Sequence, residues 1–249
     1  DLDLVIADLP QHCDDEQLAI LRRLIIPLIC VDDLTDRRLL SHVNFYPPIP
    51  QLKKLKWDGF EGSNWIGWDY YVLNNDLKQP LVSSGSKVKL LISLGGSDAF
   101  DLHKVIFEDI IALLANFDVD VVVGPLVDVT KFDRHLIDCN GITIYHNPSN
   151  FTALLASADI CLVTYGVTVY ELAYLKVPAI VITTCRDHEV SGRIFWDDYS
   201  SFRHVSAKST HLIEDIIQSI YKLKTIEKYE FPKFNRSVNE KIIEIIKEI

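Results

Sequence analysis

The chain has 249 residues, of which 48% are hydrophobic and 24% charged, an ordinary balance for one large or two small globular domains with a full core. Its formal net charge of -10 excludes a general nucleic-acid binder, whose domain is normally basic. It does not exclude a phosphate ligand, because backbone amides at turns and helix starts hold phosphate without a basic surface.

No apolar run is long enough to span a bilayer, and the opening residues show no signal-peptide pattern. The five cysteines, Cys13, Cys30, Cys139, Cys161 and Cys185, are odd in number and form no C-x-x-C pair. They predict a reduced, cytoplasmic protein. Met is absent, and the chain opens directly on a strand pattern at Asp3–Asp8. This predicts that further sequence precedes it.

Strand and helix patterns alternate from end to end, the signature of βαβ units and a parallel sheet. Leu4–Ala7 predicts a short strand, and Asp14–Leu24 a helix with acidic residues at its favourable N-terminus. Pro27–Val31 predicts a second strand ending in Asp32-Asp33, and Val43–Tyr46 a third, closed by Pro47, Pro48 and Pro50. Residues 51–86 are less regular, carry Trp57, Trp65 and Trp68, and end in the linker-like run Val82-Ser83-Ser84-Gly85-Ser86.

Beyond it the alternation is clean. Strands are expected at Val88–Ser93, Val119–Val123, Ile142–Tyr145, Asp159–Val163 and Ala179–Ile182. Helices are expected at Leu102–Ala115, Val129–Asp138, Asn150–Ser157, Thr168–Leu175 and His211–Leu223, with an amphipathic stripe over Val238–Ile249. The chain reads as an α/β protein: a partial Rossmann-like domain at 1–82 and a complete one at 83–249.

Two turns carry chemistry. In Leu94-Gly95-Gly96-Ser97-Asp98, glycines after a buried strand let the backbone approach a ligand closely. Free amides and the Ser97 hydroxyl suit a phosphate, while Asp98 suits a helix cap or a sugar hydroxyl. A tight turn with no ligand explains the motif equally well. In Tyr165-Gly166-Val167-Thr168 the same arrangement follows a second strand. Thr168-x-x-Glu171 has capping-box spacing, which turns the carboxylate inward. The alternative turns Glu171 outward to accept two hydrogen bonds from a ribose cis-diol. Arg186 and His188 are expected on a loop at the next strand's carboxyl end, and Gly124 at the end of another. A dinucleotide-binding G-x-G-x-x-G is absent, which argues against a dehydrogenase, and no cluster has metal-ligand spacing.

The segment Thr164–Ile180 resembles the donor-binding segment of MurG-like GT-B glycosyltransferases. It is closer to their relatives, the PseG-type nucleotide-sugar hydrolases and the SpsG-like proteins. Leu91–Asp98 resembles the glycine turn that opens the C-terminal half of those proteins, and Asp1–Asp8, Val31–Leu34 and Gly67–Leu73 fall in the same order. The resemblance implies a GT-B-like pair of Rossmann-like halves, the first incomplete, acting on a UDP-sugar with no separate cofactor. Glu171 would take the ribose and Gly166, Val167 and Thr168 the diphosphate. Gly95, Gly96, Ser97, Asp98, Gly124, Tyr165 and His188 would line the cleft.

The expected reaction is hydrolysis of the sugar–diphosphate bond in surface-polysaccharide or nonulosonate-type biosynthesis. The alternatives are sugar transfer and non-catalytic nucleotide-sugar binding. The family's N-terminal catalytic histidine has no counterpart, and Asn74 stands where an arginine is usual. The candidates left for proton transfer are Asp8 and Asp32.

Overall fold

A computed structural model describes residues 3–9, 12, 14–23, 25–78, 87–98, 100–106, 117–128, 141–235, 237 and 239–249. The expected linker at 82–86, the helix at Val129–Asp138, most of the helix at Leu102–Ala115, Cys13 and Cys139 lie outside these residues. The chain divides into two units. One comprises Asp1–Asn75 with Lys233–Ile249, the other Asp76–Pro232.

In the first unit, β1 (Val5–Ala7), β2 (Leu28–Val31), β3 (Val43–Tyr46) and β4 (Ser63–Ile66) form a parallel sheet in that spatial order. Helix α1 (Asp15–Leu21) starts at Asp14, whose carboxylate accepts the Gln17 amide at 2.8 Å. The strands β2 and β3 are buried along their whole length, β2 as a continuous apolar run and β3 with Asn44 among its buried residues.

Residues 233–249, read along the sequence as part of the second domain, belong to the first unit. Two clamps fix them. Asp69 accepts from the Asn235 backbone and side-chain amides, each at 2.8 Å. Asn239 accepts the Leu73 amide at 3.0 Å and donates to the Leu73 carbonyl at 2.7 Å. The apolar stripe on the closing helix (Glu240–Ile246) then buries Ile242 and Ile245 against Ile29, Val43 and Phe45. An amphipathic stripe announces that it needs an apolar partner but does not say which sheet supplies it.

In the second unit, β5 (Val88–Ser93), β6 (Phe117–Val123), β7 (Ile142–His146), β8 (Ile160–Thr164), β9 (Ala179–Thr183) and β10 (Phe202–Ser206) form a six-stranded parallel sheet. Their order is β10-β9-β8-β5-β6-β7. Counted from β5, this is the 3-2-1-4-5-6 winding of a dinucleotide-type sheet, and the chain reverses direction between β5 and β8.

Four helices described in full accompany this sheet: α2 (Phe151–Ser157), α3 (Val167–Leu175), α4 (Arg186–Trp196) and α5 (Leu212–Lys224). The core joins Leu90 and Ile92 of β5, Val121 of β6, Leu162 of β8 and Ile180 and Ile182 of β9 to Ile216, Ile220 and Leu223 of α5. Burying each such side chain contributes about 1.5–3 kcal/mol. β4, β10 and α4 are elements that the sequence pattern missed.

Candidate functional site

The reversal between β5 and β8 opens a crevice at the carboxyl ends of the strands, where a parallel sheet of this winding has its natural ligand position. Both glycine turns stand on its rim, one after β5 and one after β8, side by side. A Cβ added to Gly95 would come 3.4 Å from the Thr164 hydroxyl at the end of β8. A cleft of about 220 Å³ lies beside them. It is lined by Gly95, Gly96, Gly124 and Thr168, together with Ser93, Val122, Val123, Pro125, Asn147, Pro148 and Phe151. Ser97, Asp98, Tyr165, Gly166, Val167, Glu171 and His188 do not line this cleft.

Gly95 has φ +92°, which glycine adopts at no steric cost. Gly96 faces open space, since a Cβ there would meet nothing within 4 Å. Behind it Gly124 is packed so closely that a Cβ would lie 2.4 Å from the Gly96 Cα and carbonyl oxygen. The turn is therefore open on the ligand side and closed behind by another backbone. Gly124→Ala is expected to push the Gly96 turn forward and to destabilise the protein by about 1–3 kcal/mol, read as a lower midpoint in urea unfolding.

Asp98 is engaged inside the fold. Its Oδ1 accepts the Leu102 amide and its Oδ2 the His103 amide, both at 2.9 Å. The His103 Nδ1 lies 2.8 Å from Oδ2. Burial pushes the Asp98 carboxyl up, but the His103 bonds and charge and the Leu102 amide outweigh it and hold it below the usual carboxylate range. This is the capping alternative of the sequence reading. The first amides of the helix that begins at residue 102 are thus already used.

The Thr168–Glu171 spacing does not make a capping box. Helix α3 starts at Val167, one residue earlier than expected, with Gly166 as its cap and no side-chain capping bond. Thr168 therefore lies inside the first turn, where its hydroxyl cannot reach the Glu171 amide in box geometry. Glu171 is 7% exposed and has no hydrogen-bond or ion-pair partner among the described residues. Burial alone raises its pKa. It sits one helical turn beyond Thr168 on the same side of the helix. A buried carboxylate with no partner is costly to the fold and suited to receiving hydroxyl groups.

His188 is not on a loop. The chain enters α4 at Arg186, so His188 lies in the first helical turn. Asp187 and Glu189 favour that N-terminus through the helix dipole. The His188 Nδ1 meets the Thr184 hydroxyl at 3.2 Å, and the ring lies against Tyr165 at 5.2 Å. Burial lowers its pKa, against the pull of Asp187. At neutral pH the ring is neutral, a polar contact rather than a cationic phosphate clamp. The Tyr165 hydroxyl reaches the Tyr170 hydroxyl at 3.0 Å, which fixes the turn after β8 against α3.

In the first unit, the adjacent carboxylates after β2 differ in kind. Asp33 is fully buried and ion-paired with Arg37, and it accepts from the Thr35 amide and hydroxyl. Asp32 has φ +49°, and burial, then Asp8, then Asp33 push its pKa up to about 7. Asp8 is exposed at the end of β1.

The sequence reading missed Asn147, Pro148 and Phe151. Asn147 adopts φ +45° and its amide donates to the Val123 carbonyl at 2.9 Å. An Asn-Pro pair at the carboxyl end of a strand was the available signal. Among the described residues no helix is long and apolar enough to cross a membrane, and no group of three His, Cys, Asp or Glu is placed to hold a metal ion.

No protein-family profile matches the chain. Its sequence is 27% identical over 126 residues to MJ1062, an uncharacterized protein of Methanocaldococcus jannaschii. The match covers 47% of this chain and 26% of that protein, so the chain spans about a quarter of the curated relative's length. The fold is similar to MurG of Acinetobacter baumannii, with TM-score 0.57 and 14% identity over 94% of this chain and 70% of that one. It is also similar to Arabidopsis thaliana UGT89C1 complexed with UDP, with TM-score 0.51 and 11% identity over 90% of this chain and 67% of that one. The architecture is GT-B-like: two parallel-sheet α/β halves, of four and six strands.

Proposed function

We propose that the chain carries the nucleotide-sugar site of a GT-B glycosyl-transfer enzyme, with a UDP-sugar as donor. The observation that carries this reading is a convergence at one strand-order reversal. Two glycine turns whose backbone faces open space follow adjacent strands, and Glu171, 7% exposed and without a partner among the described residues, lies in the helix that follows the second. In this reading the amides of Gly95–Ser97 and Gly166–Thr168 hold the diphosphate, aided by the positive end of the nine-residue helix α3. The ribose diol satisfies Glu171. The apolar wall of Val122, Val123, Pro125, Pro148 and Phe151 takes the flat face of the base. The UDP named with UGT89C1 supports the choice of nucleotide.

Chemistry at the sugar then needs two things. The leaving diphosphate must be stabilised, which fixed amides do without reorganising. The acceptor hydroxyl must lose a proton. Asp32 of the first unit, with its pKa pushed up to about 7, titrates in the range in which a general base works. We place the enzyme in surface-polysaccharide or nonulosonate-type biosynthesis on the resemblance of its motifs, and in the cytoplasm on its odd number of cysteines without a C-x-x-C pair.

Transfer is the reading that the fold neighbours favour. The likeness of Thr164–Ile180 to PseG-type hydrolases favours water as the acceptor instead. One assay separates them: UDP release from a panel of UDP-sugars, with and without a saccharide acceptor, with products identified by mass spectrometry. Transfer predicts UDP release that depends on acceptor, and hydrolysis predicts release and free sugar without it. UDP binding with no turnover of any donor would reduce the chain to a binding module.

A further inference from the structure

We infer that Asp98 and His103 form a positioning pair that sets the shape of the phosphate-binding turn without touching the ligand. The inference rests on the nucleotide-sugar reading of the site and reassigns Asp98 from ligand contact to support.

The turn needs outside support. Asp98 and Asp101 both adopt left-handed backbone, at φ +44° and φ +50°. A non-glycine residue in this region is strained unless its surroundings hold it. The support comes from two sides. Behind the turn, the Leu126 amide donates to the Gly96 carbonyl at 3.1 Å, and the Gly124 backbone closes off retreat. Beneath it, Asp98 is bound by the amides of Leu102 and His103 and by the His103 ring, which is 1% exposed.

The ring Nδ1 stands at ion-pair distance from the carboxylate, 2.8 Å from Oδ2. The Asp98 oxygens that a sugar hydroxyl would need are engaged in this arrangement. The groups of the loop that line the cleft are those of Gly95 and Gly96.

The consequence is specific to the diphosphate. His103→Leu removes the ring nitrogen and keeps apolar volume, so Asp98 is left with the two amide bonds alone and the turn relaxes. His103→Asn keeps a donor at the Nδ1 position. Titration calorimetry with UDP and with uridine separates the effects, because uridine lacks the groups that the turn would hold. The expected result is a tenfold or greater loss of UDP affinity in His103→Leu, uridine affinity unchanged within a factor of two, and most of the loss restored in His103→Asn.

Equal loss of UDP and uridine affinity, or none of either, would overturn the inference while leaving the site reading intact. Wild-type protein that binds uridine and UDP alike, or neither, overturns the site reading and the inference with it. Should His103→Leu fail to fold, Asp98→Asn carries the same comparison. It keeps an acceptor for one of the two amides and loses the charge that holds the ring.

Discussion

Glu171→Gln is expected to raise the melting temperature at neutral pH and to weaken UDP binding about tenfold or more. The two effects have one cause. Glu171 is the single charged residue in α3, it is 7% exposed with no partner among the described residues, and burial lifts its pKa above the ordinary value of 4.5. A raised carboxylate pKa means that the native chain retains a proton the unfolded chain has already released. Stability is therefore unaffected below the unfolded value and falls as pH climbs from there through the folded value.

Gln keeps the shape and removes the ionisation, so the penalty disappears and the gain should be a few degrees. That gain should be larger near pH 8 than near pH 4, where both proteins carry a neutral group. Binding moves the other way, because a carboxylate receiving two hydroxyl groups makes charge-assisted bonds that an amide does not. A helix-capping role for Glu171 predicts the reverse: a lower melting temperature and UDP affinity unmoved. Scanning fluorimetry at both pH values, paired with UDP titration, reads both quantities.

The second large effect is expected at Asp32. With its pKa pushed up to about 7, first by burial and then by Asp8 and Asp33, it changes charge in the range where a general base works. The wild-type turnover rate should rise with pH through about 7 and then level off. Asp32→Asn should reduce kcat by about 10²–10⁴-fold and remove that rise, with KM for the donor little changed.

Stability offers an independent check with a defined sign. Between about pH 4 and pH 7 the native Asp32 holds a proton that the unfolded chain has lost, so wild-type stability falls across that interval and stays level above it. Asp32→Asn should abolish that fall and be the more stable protein at higher pH. A variant that is less stable at every pH, with an unaltered rate profile, would assign Asp32 to the architecture of the β2 loop. Asp33, bonded to Arg37 and Thr35, serves as the structural control, since its removal should unfold rather than slow the protein.

The strands on which the site stands were legible because they are buried on both faces. Leu90–Ile92, Ile160–Val163 and Ala179–Ile182 read as continuous apolar runs, and each is buried in the sheet. β4 (Ser63–Ile66) was not legible, because Ser63, Asn64 and Ile66 are exposed and only Trp65 is partly covered. Helix α4 opens on Arg-Asp-His-Glu, a run that reads as a loop until its dipole is considered.

At the site itself, the glycine turns were visible but their roles were not. Thr168 and Glu171 have the spacing of a capping box, and a one-residue shift of the helix start dissolves it. Asp98 looked available for a ligand, and a buried histidine five residues on engages it instead. Asp32 and Asp33 are indistinguishable as letters. They differ because Arg37 pairs with one and Thr35 donates to it, while the other is raised by burial and by the charges of Asp8 and Asp33.

The measurement that bears most directly on the central claim is a crystal structure of the second unit's site with UDP bound. The diphosphate is expected within hydrogen-bond reach of the Gly95–Ser97 and Gly166–Thr168 amides, with both ribose hydroxyls on the Glu171 carboxylate. UDP seated elsewhere, or a Glu171 carboxylate still without a partner in the complex, would contradict it.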